Sequence, residues 1–178
     1  MTIEFALQPF PTDNLLPEIE IIGEIDRQDH LLSIEYQLRG DLHAVEIPPV
    51  AVQPTRKHDL WETTCFEFFL GIPGASDYWE FNLSPAGDWN VFHLDDYRQG
   101  LRHELAFTSL PFTLDRQANL LSLALELDLS KIITESQPLE VSVTAVIKSV
   151  RGEMNYWALT HCGSIADFHL RNSFMIEI

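Results

Sequence analysis

Apolar and polar residues alternate with a period of two along several stretches of the chain, as they do in β-strands with one buried face. The clearest stretches are 31–40, 119–129 and 139–150; in the second, leucine occupies every odd position from 121 to 129. Weaker strands are predicted over IEFAL near the start, over 19–25 and over 173–178. No stretch keeps a helical period for long, so strands are expected to dominate the fold.

Turn residues separate these stretches at 39–41, 73–74, 85–88 and 151–152. Many strands joined by close-set turns are typical of antiparallel all-β folds. No internal repeat and no linker rich in Gly or Ser divides the sequence. We therefore predict one all-β domain over residues 1–178, an antiparallel β-sandwich of immunoglobulin-like or jelly-roll type.

The charge of the chain excludes two classes of partner. There are 27 acidic residues against 11 basic ones, a formal net charge of −16. Nucleic acids and anionic membranes both require a basic surface. We expect neither a nucleic-acid partner nor a membrane partner.

The termini and cysteines indicate a reducing compartment. The first 17 residues lack the basic start and apolar run of a signal peptide, and no stretch reaches the roughly 20 apolar residues of a membrane helix. Cys65 and Cys162 are expected to be reduced thiols, and without a CxxC motif they do not make a zinc site. We predict a cytoplasmic protein without a metal.

Three neighbouring strands, 65–71, 78–85 and 88–98, carry polar groups among aromatic rings. Sorting their residues by parity gives an apolar face with Phe66, Phe68, Leu70, Trp79, Phe81, Leu83, Phe92 and Leu94, expected to be the core side. The other face then holds Cys65, Glu67, Phe69, Tyr78, Glu80, Asn82, Trp89, Val91 and His93. Rings that stack and polar groups that orient are what a small-molecule site needs. The sequence predicts a site for a small polar ligand, a saccharide above all.

Alternative interpretations of the same residues stay open. The second face could be an outer sheet surface covered by the loop 47–61 or by a second chain in a homodimer. Glu67 and Glu80 could act as the paired carboxylates of a sugar-processing enzyme. His161, Asp167 and His169 could bind a metal, although their spacing is not a specific metal signature.

The strings DLWETTCFEFFL, YWEFNLSPAGDWNVFHLDDYR and NYWALTHCGSIADFHL together resemble the DOMON-like domains grouped with family 9 carbohydrate-binding modules. The resemblance runs from about Arg56 to the end of the chain and points to the stand-alone bacterial branch. It implies a sandwich of two antiparallel sheets and a non-catalytic role in binding a ligand.

The resemblance also implies site residues. Sugar-binding members clamp a terminal sugar between two tryptophans, which Trp61 and Trp157 match here. Their Arg-x-Asn pair corresponds to residues 80–82, where Glu80 replaces the arginine and Asn82 is kept. Unless Arg56 or Arg98 supplies a guanidinium, the family's sugar specificity is not expected. The predicted ligand-binding residues are Arg56, Trp61, Glu67, Glu80, Asn82, His93, Trp157 and His161.

Cofactors are a secondary hypothesis that depends on the resemblance. Some DOMON domains hold haem through Met and His, for which Met154, Met175, His93, His161 and His169 are candidates. Others carry structural calcium, but the sequence has no clustered Asp loop of that kind. We expect no cofactor, with haem or calcium as the alternatives.

Overall fold

The computed structural model describes residues 1–12, 17–134 and 137–178. In chain order its strands are β1 (Ile3–Ala6), β2 (Gln8–Pro9), β3 (Ile19–Gln28), β4 (Leu31–Gly40), β5 (Cys65–Gly71), β6 (Tyr78–Leu83), β7 (Trp89–Leu94), β8 (Arg102–His103), β9 (Phe112–Arg116), β10 (Leu120–Asp128), β11 (Glu140–Lys148), β12 (Met154–Ala158) and β13 (Ile176–Glu177). Short 3-10 helices span Leu42–Ala44, Leu60–Glu62 and Arg171–Ser173.

The strands form two sheets, and every described strand pair is antiparallel. The first sheet has the order β1-β3-β4-β10-β9, and the second has the order β2-β12-β11-β5-β6-β7-β8, with β13 also paired to β11. The prediction of an antiparallel β-sandwich is confirmed. Strands β2, β8, β9 and β12 were not predicted. The first three are short or half-exposed, and none of the four alternates clearly in sequence.

The core lies between the two sheets and is filled by alternate residues of each strand. Ile34, Tyr36 and Leu38 of β4 and the odd-numbered leucines of β10 are almost fully buried there. The Tyr36 hydroxyl donates a hydrogen bond of 2.7 Å to the Glu67 backbone oxygen and so ties the first sheet to β5. Phe68 and Phe81 stack in the same core with ring centroids 4.4 Å apart.

The central strands of the second sheet are buried on both faces, which explains why β5 is apolar at nearly every position. All seven residues of β5 are buried. Its outer face carries a second apolar cluster, Phe69, Tyr78, Phe92, Leu94, Val146, Ala158, Phe168 and Phe174, with Trp61 and Met154 packed against it. The covering residues therefore come from the Trp61 turn and from the C-terminal segment 159–175 of the same chain.

Arg171 fastens this C-terminal segment to the sheet. Its guanidinium donates 2.9 Å to the Glu140 carboxylate and 2.6 Å to the Ile72 backbone oxygen. It also lies so close over Gly71 that a Cβ at that position would overlap it. A glycine at the end of β5 thus allows the segment to dock.

Among the described residues, the helices are single 3-10 turns, and none is long or apolar enough to cross a membrane.

Candidate functional site

A pocket of about 350 Å³ opens on the outer face of the second sheet. Glu67 of β5 and Glu80 of β6 line it although they are only 3% and 5% exposed. The remaining lining residues are Trp61, Leu94, Arg98, Leu101, Val146, Tyr156, Ala166, Phe168 and His169. The pocket therefore lies between the sheet and the segments that cover it.

The register of β5 and β6 places both carboxyl groups on one face. Glu67 pairs with Asn82, and Glu80 lies two residues before Asn82 on the same strand. Diagonal neighbours of this kind are roughly 7–8 Å apart between Cα atoms, within reach of long side chains. The two side chains thus share one apolar environment.

Glu67 holds its proton far more tightly than an exposed glutamate does. Burial, together with the charge of Glu80, raises the pKa of Glu67 well above its usual range, while bonds from Thr144 and the Cys65 thiol oppose the shift. The Thr144 hydroxyl is 3.5 Å from Oε2 and is a long, weak donor. The shift favours the protonated form of Glu67, in which the carboxyl group can donate a hydrogen bond.

Glu80 titrates near neutrality. Burial raises the pKa of Glu80 to about 7, while the Asn82 amide and the charge of Arg98 oppose the shift. Asn82 Nδ2 donates 2.8 Å to Oε1 and fixes the carboxyl group. The other oxygen, Oε2, lies 4.0 Å from His169 Nε2, beyond hydrogen-bonding distance.

His169 is held as a neutral imidazole. Burial and then the charge of Arg98 lower the pKa of His169 to about 4. Its Nδ1 shares a 2.9 Å hydrogen bond with the Tyr78 hydroxyl, and its ring meets Phe69 edge-on at 5.3 Å. At neutral pH the contact between His169 and Glu80 is therefore not an ion pair.

Arg98 brings the guanidinium of the pocket, and Asp167 neutralises it. Arg98 Nη2 lies 2.9 Å from Asp167 Oδ1, and the Tyr97 hydroxyl donates 2.6 Å to Oδ2. Burial alone would raise the pKa of Asp167. Hydrogen bonds from Tyr97 and Arg98 outweigh this effect and hold the pKa below its usual value. Asp167 Oδ1 also accepts 3.0 Å from the His169 backbone N–H, so this cluster positions His169.

The structure brings together three of the predicted site residues, Trp61, Glu67 and Glu80. Trp61 lies in the 3-10 helix Leu60–Glu62 and packs on Phe92 with ring centroids 6.0 Å apart. Asn82 is fully buried behind Glu80 and does not line the pocket. Of the two arginines considered for the missing guanidinium, Arg98 reaches the pocket.

The face predicted for His93 was wrong. Five residues, 84–88, join β6 to β7, and the register pairs odd positions with odd ones, Trp79 with His93 and Phe81 with Val91. His93 therefore lies on the Trp79 side of the sheet, its ring stacked on the Trp79 ring at 4.7 Å and 9°. Its nitrogens contact Asp77 and Arg102 at 3.0 and 2.8 Å. Hydrophobicity misassigned β7 because both of its faces are apolar.

Trp157, which the resemblance gave as the second sugar-clamping tryptophan, lies in the core and not at the pocket. Trp157 pairs with Ala145, which faces the core, and Trp157 itself is 5% exposed within that core. Its neighbour Tyr156, which is 38% exposed, points the other way and lines the pocket. Tyr156 meets Phe168 edge-on at 6.0 Å. The aromatic residue of β12 at the pocket is therefore a tyrosine.

Arg56 and His161 lie outside the pocket. Arg56 Nη2 donates to the backbone oxygens of Glu104 and Phe107 at 3.0 and 2.5 Å, and its guanidinium lies 4.3 Å over the Trp89 ring. His161 Nε2 contacts the Gln8 backbone oxygen at 2.9 Å. Both residues have structural partners.

Tyr156, Phe168, His169 and Arg98 line the pocket but were not predicted as ligand-binding residues. Asp167 and His169, which the sequence offered as possible metal ligands, do lie together. His161, proposed as a metal ligand with them, lies elsewhere. In the part of the chain that the structure describes, no group of three or more acidic, His or Cys side chains is arranged to hold a metal ion.

Haem does not fit the described residues. Of its candidate ligands, His169 alone lines the pocket. The two nitrogens of His169 face the Tyr78 hydroxyl and Glu80. Met175 is 64% exposed and Met154 packs in the apolar cluster, so neither methionine faces His169 across the pocket.

No protein-family model matches the chain, and no curated protein does. Solved structures share its fold at low identity. A candidate carbohydrate-binding protein from Bacteroides uniformis superposes with a TM-score of 0.70 at 14% identity, covering 95% of this chain and 84% of that one. A family 9 carbohydrate-binding module from Caldicellulosiruptor kristjanssonii superposes with TM-scores of 0.52 in its cellotriose complex and 0.50 in its glucose complex, at 8% identity. These cover 90% of this chain and 71% and 73% of the module. The chain thus has the β-sandwich fold of these proteins.

Proposed function

We propose that the protein is a non-catalytic module that binds a saccharide in the pocket between Trp61, Tyr156 and the two glutamates. The observation that carries the proposal is one pocket in which carboxyl, imidazole and guanidinium groups lie among aromatic rings. Proteins of the same fold include a module solved with cellotriose and with glucose, which supports this ligand class. The cytoplasmic location and the relationship to DOMON-like domains stay predictions from the sequence.

The chemistry of the pocket suits a polyhydroxylated ring. A sugar hydroxyl both donates and accepts hydrogen bonds, so it can pair with an acid that donates and with a carboxylate that accepts. The raised pKa of Glu67 favours the donating acid, and Glu80, with a pKa of about 7, offers the accepting carboxylate. The rings of Trp61 and Tyr156 offer apolar surfaces for the C–H face of the sugar. A few polar groups would thus orient the bound sugar, as they orient ligands in other small-molecule sites.

The test is titration calorimetry with a panel of neutral monosaccharides and disaccharides. We expect Trp61→Ala and Tyr156→Ala each to weaken binding by roughly tenfold or more, because each removes a stacking surface. Phe112→Ala, on the other sheet, is the matched aromatic control and should bind like the parent. If no saccharide binds, or if the three variants behave alike, the proposal is wrong.

A second candidate function is a sugar-processing enzyme, favoured by one observation. The pKa of Glu67 is raised well above its usual range beside Glu80, whose pKa is about 7, and glycosidase carboxyl pairs likewise combine an acid that holds its proton with a neighbouring carboxylate. Chromogenic glycosides would reveal turnover, and Glu67→Gln should then bind substrate without releasing the chromophore. Binding without turnover by the parent protein eliminates this candidate.

A further inference from the structure

One carboxylate oxygen in the pocket lacks a partner. Glu80 Oε1 accepts from Asn82, but in the described part of the chain Oε2 accepts no hydrogen bond. Its nearest polar neighbour is His169 Nε2 at 4.0 Å. Glu80 is only 5% exposed, but it lines the pocket, so a ligand in the pocket can reach this oxygen. A donor on the ligand would give Oε2 the hydrogen bond that no described protein donor gives it.

The pocket also lacks a cation to match its two carboxyl groups. Among the described residues, no lysine or arginine nitrogen lies within 4.0 Å of Glu67 or Glu80. Arg98, the guanidinium of the pocket, is bonded to Asp167. His169 is neutral because it is buried. Since a charge buried without a close counter-charge is costly, ionised Glu80 favours a ligand that brings positive charge.

We infer that the pocket selects an amino sugar, whose primary ammonium group lies between Glu67 and Glu80 and donates to Glu80 Oε2. This inference rests on the proposed function, because it names the class of saccharide. An ammonium group has three donors and no acceptor, which matches two carboxyl groups and not an arginine-lined site. Charge-assisted bonds of this kind are roughly twice as strong as neutral ones.

The aromatic rings and the net charge of the pocket support the same ligand. Trp61 and Tyr156 lie beside the carboxyl groups, and an ammonium group is attracted to the faces of such rings. A uronic acid would place a second negative charge beside Glu80. A neutral sugar would leave the charge of Glu80 without a counter-ion.

The experiment compares sugars that differ at one group. Binding of glucose, 2-amino-2-deoxyglucose, 6-amino-6-deoxyglucose, N-acetylglucosamine and glucuronate is measured by titration calorimetry. We expect at least one free amine to bind roughly tenfold or more tightly than glucose. The N-acetyl form should lose this preference because its amide is uncharged, and glucuronate should bind more weakly than glucose.

Glucose binding as tightly as both amines overturns the inference while leaving the proposed function intact. If none of these sugars and no neutral sugar of the wider panel binds, both are wrong.

The charge of Glu80 should set the preference. Glu80→Gln keeps the shape of the side chain and removes its charge, so the ratio of amine to glucose affinity should fall toward one. A ratio that stays at the parent value in folded Glu80→Gln overturns the inference. If a melting curve shows that Glu80→Gln does not fold, the dependence of the parent protein's preference on pH decides instead.

The preference should also depend on pH. Lowering the pH from about 7.5 to about 5.5 protonates Glu80 and should reduce amine binding more than glucose binding. The titratable groups that interact with Glu80 are Cys65, Glu67, Tyr78, Arg98 and His169, and of these His169 keeps its neutral form over that range. Binding of amine and glucose that changes in parallel with pH contradicts the inference.

Discussion

Glu80 Oε2 lies 4.0 Å from His169 Nε2, and burial moves the pKa values of the two groups past each other. The pKa of Glu80 rises to about 7 and that of His169 falls to about 4. Over the range between these values, the acid keeps its proton and the base stays without one. The pair is therefore neutral where exposed Glu and His side chains would form an ion pair.

The free energy of unfolding should depend on pH because the pKa values of Glu80 and His169 are both shifted in the folded state. The raised pKa of Glu80 stabilises the fold below the unfolded value near 4.5, and this contribution is lost as pH rises through about 7. The lowered pKa of His169 acts oppositely: its contribution is complete above about 6.5 and is lost as pH falls toward 4. Relative to the parent, Glu80→Gln should gain up to roughly 3 kcal/mol between about pH 5 and 8. Urea unfolding at intervals of pH measures this difference, and a gain that does not vary with pH would contradict the assigned cause.

Tyr156 and Trp157 are adjacent in sequence but should behave as residues of different kinds. Trp157→Ala leaves a cavity between the sheets and should lower the free energy of unfolding by about 3–5 kcal/mol. Tyr156→Ala, at a half-exposed position, should lower it by under about 1 kcal/mol and weaken saccharide binding. Unfolding curves and titration calorimetry on both variants check the pair. Equal effects on stability would show that β12 has the opposite face assignment.

His93→Ala tests the corrected face of β7. The substitution removes the stack on Trp79 and the contacts to Asp77 and Arg102. We expect a loss of about 1–2 kcal/mol in the free energy of unfolding. Because His93 lies on the other side of the sheet from the pocket, the affinity for saccharide should stay unchanged. Weaker binding by a variant of unaltered stability would place His93 in the site.

Arg56→Lys should destabilise the protein although it keeps the charge. The planar guanidinium reaches the Glu104 and Phe107 oxygens and stacks over Trp89, and an ammonium group cannot do all three. We expect a loss of about 2 kcal/mol in thermal or urea unfolding. Arg39→Lys, at an exposed arginine, is the control and should change stability by under about 0.5 kcal/mol. Similar losses in the two variants would refute the structural role of Arg56.

Gly71→Ala should loosen the C-terminal segment, because the new methyl group displaces the Arg171 guanidinium. We expect a loss of about 1–3 kcal/mol and weaker saccharide binding, since the segment carries Phe168 and His169. In an Arg171→Met background, Gly71→Ala should lower the free energy of unfolding by a smaller amount. A double-mutant cycle measures the difference between the two losses. Additive effects would mean that the glycine serves another purpose.

The sequence was informative where one face of a strand is polar and the other is not. Strands β4 and β10 follow their alternation, and so do β5 and β6, where Glu67 and Glu80 mark the outer face. Alternation was uninformative in β7, which is apolar on both faces, so that only the register with β6 fixes His93. In β12, Tyr156 and Trp157 are both large aromatics, and their partner strand decides which faces the core.

The covering of the pocket had no periodic signal at all. Residues 159–175 have no strand pattern, and their position depends on long-range contacts such as that of Arg171 with Glu140 and Ile72. Parity on the central strands could find the two carboxyl groups but not His169 or Phe168. It could not foresee Arg98 either, which follows β7 in a backbone conformation with φ of 52°.

The two-sided burial of the second sheet divides the ligand site between two parts of the chain with different tolerance for change. Glu67 and Glu80 stand on strands whose opposite faces fill the core, so the sandwich itself restricts substitution near them. Ala166, Phe168 and His169 belong to a segment fastened by a few polar bonds. New ligand preferences can therefore evolve through this segment while the strands beneath it keep their register.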